Sequence, residues 1–315
     1  ACQAFEDAAL SDKKGLRIGL ISGTSVGGMD LSENFYADFL SDHCKGRLRN
    51  VVSHDCADST ERIARYVGAT DYVTTISTAC SSAANAIILG AKMLKHNLLD
   101  IVIAGGTDAL CKFTLNGFAS LKILDEQPCR PLDNSRAGLN LGEGAAYLVL
   151  ERATDNPTKS YCRVAGYANV CEAFHQTASS PEGHGAFGAM QKALKISGLT
   201  TGDIDYINFH GTGTPNNDLA EGNAVKRLFG EKLPALSSSK AYTGHTLGAS
   251  GGIEAVFSAL AIERGLLLPN LRFSQPIAEH GLVPVTQFES GKTINAVLSN
   301  SFGFGGNDST LIFAK

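Results

Sequence analysis

A chain of 315 residues with 43% hydrophobic residues, 34 glycines and 9 prolines can bury a large core, and its length lies near the point where one core splits into two domains. With 27 basic against 31 acidic residues, a net charge of -4 and no long basic run, it lacks the electrostatic footprint of a nucleic-acid-binding protein. No apolar run is long enough to suggest a membrane-spanning helix. Eight scattered cysteines without a CxxC pair read as reduced thiols of a cytoplasmic protein rather than as a disulfide framework.

Taken in chain order, the opening 1–12 has the character of a helix end, and Arg17–Ser22 is an apolar strand closed by the glycine-rich turn Gly23–Gly28. Residues 31–68 are more polar, fitting helix, loop and helix. The β-rich Tyr72–Ile76 runs into Ser77-Thr78-Ala79-Cys80-Ser81-Ser82, after which Ala83–Leu94 reads as a tightly packed helix of small and apolar residues. Leu99–Gly106 is a further buried strand. In the second half, Tyr206–Phe209 is a strand ending at His210, Leu219–Leu228 a helix, Leu236–Ser239 strand-like and Gly252–Glu263 a helix. Ile294–Ser299 and Ser309–Phe313 form a closing hairpin around Gly303–Asp308. Alternation of strand and helix predicts an α/β fold. The polar stretch Asp155–Ser160 is the best boundary, dividing the chain into 1–155 and 156–315.

Cys80 differs from the other cysteines in its position. It lies between a buried strand and a helix start, where the helix dipole and free backbone N–H groups would favour thiolate. These residues alone leave open a buried, inert cysteine. His210 opens His210-Gly211-Thr212-Gly213-Thr214-Pro215, in which glycines remove bulk and two hydroxyls line one short loop. Lys240 and His245 flank a second turn. His175 and His184 lie in polar surroundings and read as solvated or structural. No third ligand is spaced for a metal site. A cysteine able to hold an acyl group and two imidazoles able to donate N–H to an enolate oxygen would suit carbon–carbon bond formation from a malonyl unit.

At these residues the chain resembles the β-ketoacyl carrier-protein synthases of the elongating branch, which carry a Cys–His–His triad. The resemblance rests on Thr78-Ala79-Cys80-Ser81-Ser82, the His210–Pro215 segment, Thr243-Gly244-His245-Thr246-Leu247-Gly248 and Asn300-Ser301-Phe302-Gly303-Phe304-Gly305-Gly306-Asn307. It implies a duplicated thiolase-like fold of five layers, αβαβα. The implied reaction is decarboxylative condensation of an acyl group on Cys80 with malonyl-[acyl-carrier-protein], in fatty-acid, polyene or polyketide synthesis. The resemblance casts Lys240 as the active-site lysine, Glu221 as the acid supporting it, Thr212 and Thr214 as contacts of the phosphopantetheine arm, and Phe304 as a gate whose backbone N–H joins that of Cys80 in an oxyanion hole. The alternative is that Phe302 and Phe304 are ordinary core aromatics, which their glycine-rich setting disfavours. Val26, Met29 and 109–118 are candidates for the acyl pocket or an interface.

No metal or resident cofactor is implied, since substrates travel on the phosphopantetheine of acyl carrier protein. The implied partners are that carrier and a second copy in a homodimer, with a heterodimer as the other possibility. A chain-length-factor-like, non-catalytic subunit is the alternative, disfavoured because such partners have usually lost the cysteine. A thiolase or priming synthase is disfavoured by the Thr243-Gly244-His245 motif. Family members open with a strand and helices that this sequence lacks, so the natural protein is expected to be longer, with an otherwise open sheet edge covered.

Overall fold

The computed structural model describes residues 1–9, 15–153 and 160–315, so the boundary expected at 155–160 lies, apart from Ser160, outside the described residues. In chain order the elements are α1 (Cys2–Asp7), β1 (Ile18–Gly23), α2 (Met29–Ser41), α3 (Arg49–Val52), α4 (Cys56–Val67), β2 (Tyr72–Ile76), α5 (Ser82–Lys95), β3 (Ile101–Asp108), α6 (Lys112–Ser120) and β4 (Gly144–Glu151). There follow β5 (Arg163–Cys171), α7 (His184–Ser197), β6 (Tyr206–Asn208), α8 (Pro215–Phe229), β7 (Ala235–Ser237), α9 (Lys240–Thr243), α10 (Ser250–Arg264), β8 (Ala296–Gly303) and β9 (Asn307–Ala314).

Two sheets result. The first has the order β2-β1-β3-β4 and the second β5-β9-β8-β6-β7. In each, two parallel pairings are followed by an antiparallel one: β2 with β1, β1 with β3, then β3 against β4, matched by β7 with β6, β6 with β8, then β8 against β9. The second sheet adds β5 antiparallel to β9, and nothing among the described strands pairs with the corresponding outer edge of β4. Central strands are apolar on both faces, as in Ile18–Gly23, which is buried throughout because helices cover the sheet above and below.

The layers follow from which helix face is apolar. Helices α5 and α10 lie between the sheets, and their shared core joins Ile21, Ile87 and Val102 to Tyr206, Val297 and Phe313. On the outside, Phe5 of α1 and Ala64 of α4 cover the first sheet, while Met190 of α7 and Val225 of α8 cover the second. This is the five-layered αβαβα arrangement of a thiolase-like fold. Small residues let the two middle helices meet. A Cβ at Gly251 of α10 would stand 2.9 Å from the backbone nitrogen of Ala84 in α5, so no larger residue fits there. That contact brings the N-terminus of α10 beside the N-terminus of α5, where Cys80 lies.

Candidate active site

Cys80 occupies the turn between β2 and α5. Ala79 is left-handed (φ +51°), which makes the turn sharp enough to aim the sulfur inward. The turn is tied by side chains: the Ser82 hydroxyl donates to the Ala79 carbonyl (2.6 Å), the Thr78 N–H donates to Ser82 Oγ (2.9 Å), and Asn85 Nδ2 donates to Thr78 Oγ1 (2.9 Å). The backbone N–H groups of Phe304 and of Cys80 itself lie near enough to the sulfur to favour its ionised form. The thiolate expected from the helix N-terminus is not what the environment favours. Cys80 is 5% exposed, and burial pushes its thiol up to about 12, outweighing Lys240 and the two N–H donors. Burial thus favours the thiol over the thiolate at Cys80.

His210, Lys240 and His245 come together opposite, at the ends of strands from the second sheet. The rings of His210 and His245 meet edge to face with centroids 5.3 Å apart. Lys240, 2% exposed, pairs with Glu254 of α10 and donates to His210 Nδ1 (3.2 Å). An ammonium cannot accept, so His210 carries its proton on Nε2. His245 Nδ1 accepts from the Leu247 N–H (3.2 Å), which fixes the same tautomer. Both histidines are held well below 6.5, by burial first and by the charge of Lys240 second. The site thus contains two neutral imidazoles, each with an Nε2–H free of the contacts that hold its other nitrogen.

The acid paired with Lys240 is Glu254, not Glu221. Glu221, on α8, turns away from the lysine and accepts from the N–H groups of His210 and Gly211 (both 2.9 Å) and from Asn300 Nδ2 (3.0 Å). It supports the His210 turn rather than the ammonium, and burial pushes it up to about 7. The signal that could have found Glu254 is a single carboxylate in the otherwise small and apolar start of α10, Ser250-Gly251-Gly252-Ile253-Glu254-Ala255. Two further residues escape sequence reasoning. Asp108, at the end of β3, accepts from the N–H of Gly248 (2.6 Å) and from Thr24 and Ser25, joining the Gly23–Gly28 turn to the His245 loop. Asn140 accepts from the His245 N–H at its carbonyl (2.7 Å).

Thr212 and Thr214 lie in the His210 loop with their hydroxyls 2.9 Å apart, and Thr214 caps α8 through the Asn217 N–H (3.4 Å). Phe304 is half-buried and stacks on Phe118 of α6 (5.6 Å), whereas Phe302 is buried against His210. The two aromatics are thus different in kind: one is core, and the other lies in the glycine turn beside Cys80.

The loop carrying Phe304 is pinned by Gly305 N–H to the Gln176 carbonyl (2.7 Å) and by Glu172 N–H to the Gly306 carbonyl (2.8 Å). At its end, Asp308 is buried with Oδ2 lacking a hydrogen-bond partner among the described residues, and a Cβ at Gly185 would meet that oxygen at 1.8 Å. Burial, then Glu172 and Glu221, push Asp308 up to about 8 from an ordinary 3.8. The folded state therefore holds a proton that the unfolded state releases, and this contribution to stability is lost as pH rises from about 4 through about 8. Asp308→Asn is expected to gain melting temperature relative to the parent protein as pH is raised from 5 to 8. Equal shifts at both ends of that range would exclude a protonated Asp308.

The family models for the beta-ketoacyl synthase N-terminal and C-terminal domains match residues 1–156 and 161–274. The chain belongs to the β-ketoacyl synthase family. As a ketosynthase it is a condensing acyltransferase. It is 36% identical to a 3-oxoacyl-[acyl-carrier-protein] synthase 2 of Staphylococcus aureus over the whole of this chain and 80% of that protein. It is 42% identical to the synthase of the same name from Rhizobium meliloti over 253 residues, covering 76% of this chain and 60% of the relative. Among solved structures it is similar to a type II polyketide synthase acyl-carrier protein complex with its ketosynthase bound to the hexaketide. There the TM-score is 0.93 and the identity 27%, covering 98% of this chain and 81% of the other.

Proposed function

We propose that this ketosynthase catalyses decarboxylative Claisen condensation, extending an acyl group held on Cys80 with a malonyl unit carried on acyl carrier protein to give a 3-oxoacyl product. The observation that carries this reading is the pair of neutral imidazoles whose Nδ1 atoms both accept, leaving two Nε2–H donors in one buried site with a cysteine.

In the first half-reaction the Cys80 sulfur attacks the thioester carbonyl of the acyl carrier. The new C–S bond forms, the bond to the pantetheine sulfur breaks, and the Cys80 proton is passed overall to that departing thiol. In this reading the N–H groups of Cys80 and Phe304 beside the sulfur hold the tetrahedral oxyanion. In the second, the bond from the malonyl unit to its carboxylate breaks and carbon dioxide leaves. The electron pair moves onto the thioester oxygen, stabilised by the Nε2–H groups of His210 and His245. The enolate carbon then attacks the acyl-cysteine carbonyl, the C–S bond breaks, and the sulfur leaves as thiolate. Because burial disfavours that thiolate, it regains a proton at neutral pH and the site is reset.

Thr212 and Thr214 are assigned to the phosphopantetheine arm, and no resident cofactor is required for the chemistry, because the chain's own N–H groups stabilise the charge that develops on substrate oxygens. The polyketide neighbour's complex with its acyl-carrier protein supports such a carrier as partner. The outer edge of β2, unpaired among the described residues and with Val73 exposed on it, supports a second copy of the chain as the other partner. The non-catalytic alternative is not favoured, since it would leave the linked Cys80, His210, Lys240 and His245 without work.

The test is intact-mass analysis of protein of known solution mass, incubated with a panel of acyl carrier proteins and then with malonyl carrier. A mass increase confined to Cys80, discharged on malonyl addition with a 3-oxoacyl product, is expected. Absence of acylation with every primer would overturn the reading and return the chain to the non-catalytic class.

A further inference from the structure

We propose that Ser250 is a positioning residue for decarboxylation, its hydroxyl donating to Nδ1 of His245 and holding that imidazole as an Nε2–H donor. The proposal rests on the assignment of His245 to the enolate oxygen made above.

Ser250 is the first residue of α10, one position after the N-cap Ala249, which has no side-chain oxygen to offer the first turn. The Ser250 hydroxyl lies toward the histidine, 3.0 Å from Nδ1. By contrast, Ser258 further along the same helix spends its hydroxyl on the Glu254 carbonyl (2.8 Å). All members of the cluster are buried, so water does not compete for the donor.

The hydrogen positions follow by elimination. Nδ1 already accepts the Leu247 amide, whose hydrogen cannot move, so Nδ1 carries no proton and the Ser250 hydroxyl can only donate to it. Thr246 Oγ1, 3.1 Å from Ser250 Oγ, then donates to the serine oxygen. A two-hydroxyl relay therefore backs His245. The amide contact sets the tautomer but holds the orientation of the ring only weakly. It is 3.2 Å long and comes from a left-handed Leu247 (φ +52°), so the shorter hydroxyl contact carries a share of the orientation. His210 receives the same treatment from an ammonium, whereas His245 receives it from neutral groups. The charged or titratable groups around His245 are Lys240 with its partner Glu254, His210, Cys80, and Asp108 across the Gly248 amide. Protonating Nδ1 would forfeit both donors, so loss of the hydroxyl should ease protonation and move the acid limb of decarboxylation to higher pH.

Ser250→Ala is expected to leave the extent of Cys80 acylation unchanged. It should lower kcat for malonyl-carrier decarboxylation about fivefold, the rate equivalent of one neutral hydrogen bond, with KM little altered and the acid limb raised. Ser250→Thr, which keeps the hydroxyl, should restore both. Thr246→Val should lower the same rate by about twofold, since it weakens rather than removes the donor. Nitrogen NMR of histidine-labelled parent protein, with the His245 signals identified by their loss in His245→Asn, gives a readout that depends on no Ser250 variant folding. It should show a protonated Nε2 and a bare Nδ1. A proton on Nδ1, or a Ser250→Ala enzyme with unchanged kcat and acid limb, would overturn the proposal. If the parent enzyme acylates Cys80 but never decarboxylates malonyl carrier, the assigned reaction fails while the NMR result on Ser250 still stands or falls alone.

Discussion

Replacing Cys80 by alanine is expected to reduce 3-oxoacyl product by about four orders of magnitude or more while leaving carbon dioxide release from malonyl carrier measurable. The magnitude is that of removing the nucleophile from a covalent mechanism. The separation follows from the way the site is divided. In the proposed mechanism the sulfur and its two N–H donors serve acyl transfer, while the donors to the enolate oxygen are the Nε2–H groups of His210 and His245. Labelled carbon dioxide release and product formation, measured side by side, check this. If both activities vanish together in a protein that melts like the parent, the two half-reactions are not independent and the division of labour is wrong.

The second large effect is expected at Lys240, where structure and catalysis are held by one ammonium. It is 2% exposed, bonded to a buried Glu254 and to His210 Nδ1. Lys240→Met leaves Glu254 in the interior without its counter-charge, which costs about 3–5 kcal/mol for a broken buried pair. It also leaves His210 free to adopt the other tautomer, so decarboxylation should fall by about two orders of magnitude, the scale of one lost oxyanion donor. Chemical denaturation and carbon dioxide release measure the two losses. Adding Glu254→Gln to Lys240→Met should recover much of the stability and none of the rate. Recovery of both would show that the lysine matters only for folding.

How much of this was visible in the sequence depends on how local each signal is. Cys80, His210, Lys240 and His245 could be picked out because each lies in a turn of glycines and small polar residues at a strand end, and such turns are short-range features. The strands β1, β2, β3 and β6, the helices α5, α8 and α10 and the closing hairpin were legible from apolar runs bounded by glycine. Strands β4 and β5 and helices α6 and α7 were not marked out, since half-exposed strands and a helix opening with glycines carry weaker patterns. The pairing of Lys240 with Glu254 rather than Glu221 was beyond reach. Both acids lie on helices that converge on the same turns, and only the crossing of α10 over α5 decides which one faces the ammonium. Burial opposes the thiolate expected at Cys80 for a related reason: a helix N-terminus is a local feature, whereas the burial that outweighs it is supplied by distant parts of the chain.

The crossing of α5 and α10 between two sheets of matching strand order has an evolutionary consequence. The cysteine lies in the half that carries the first sheet and the two imidazoles in the half that carries the second, so neither half holds the whole set of groups. Drift in the middle layer alters the distance between the two contributions even where no reacting group changes. Substitutions such as those at Gly251 or Ala84 should therefore be accepted only in compensating pairs. A lineage diverging toward new acyl chains is freest to change where the halves do not touch.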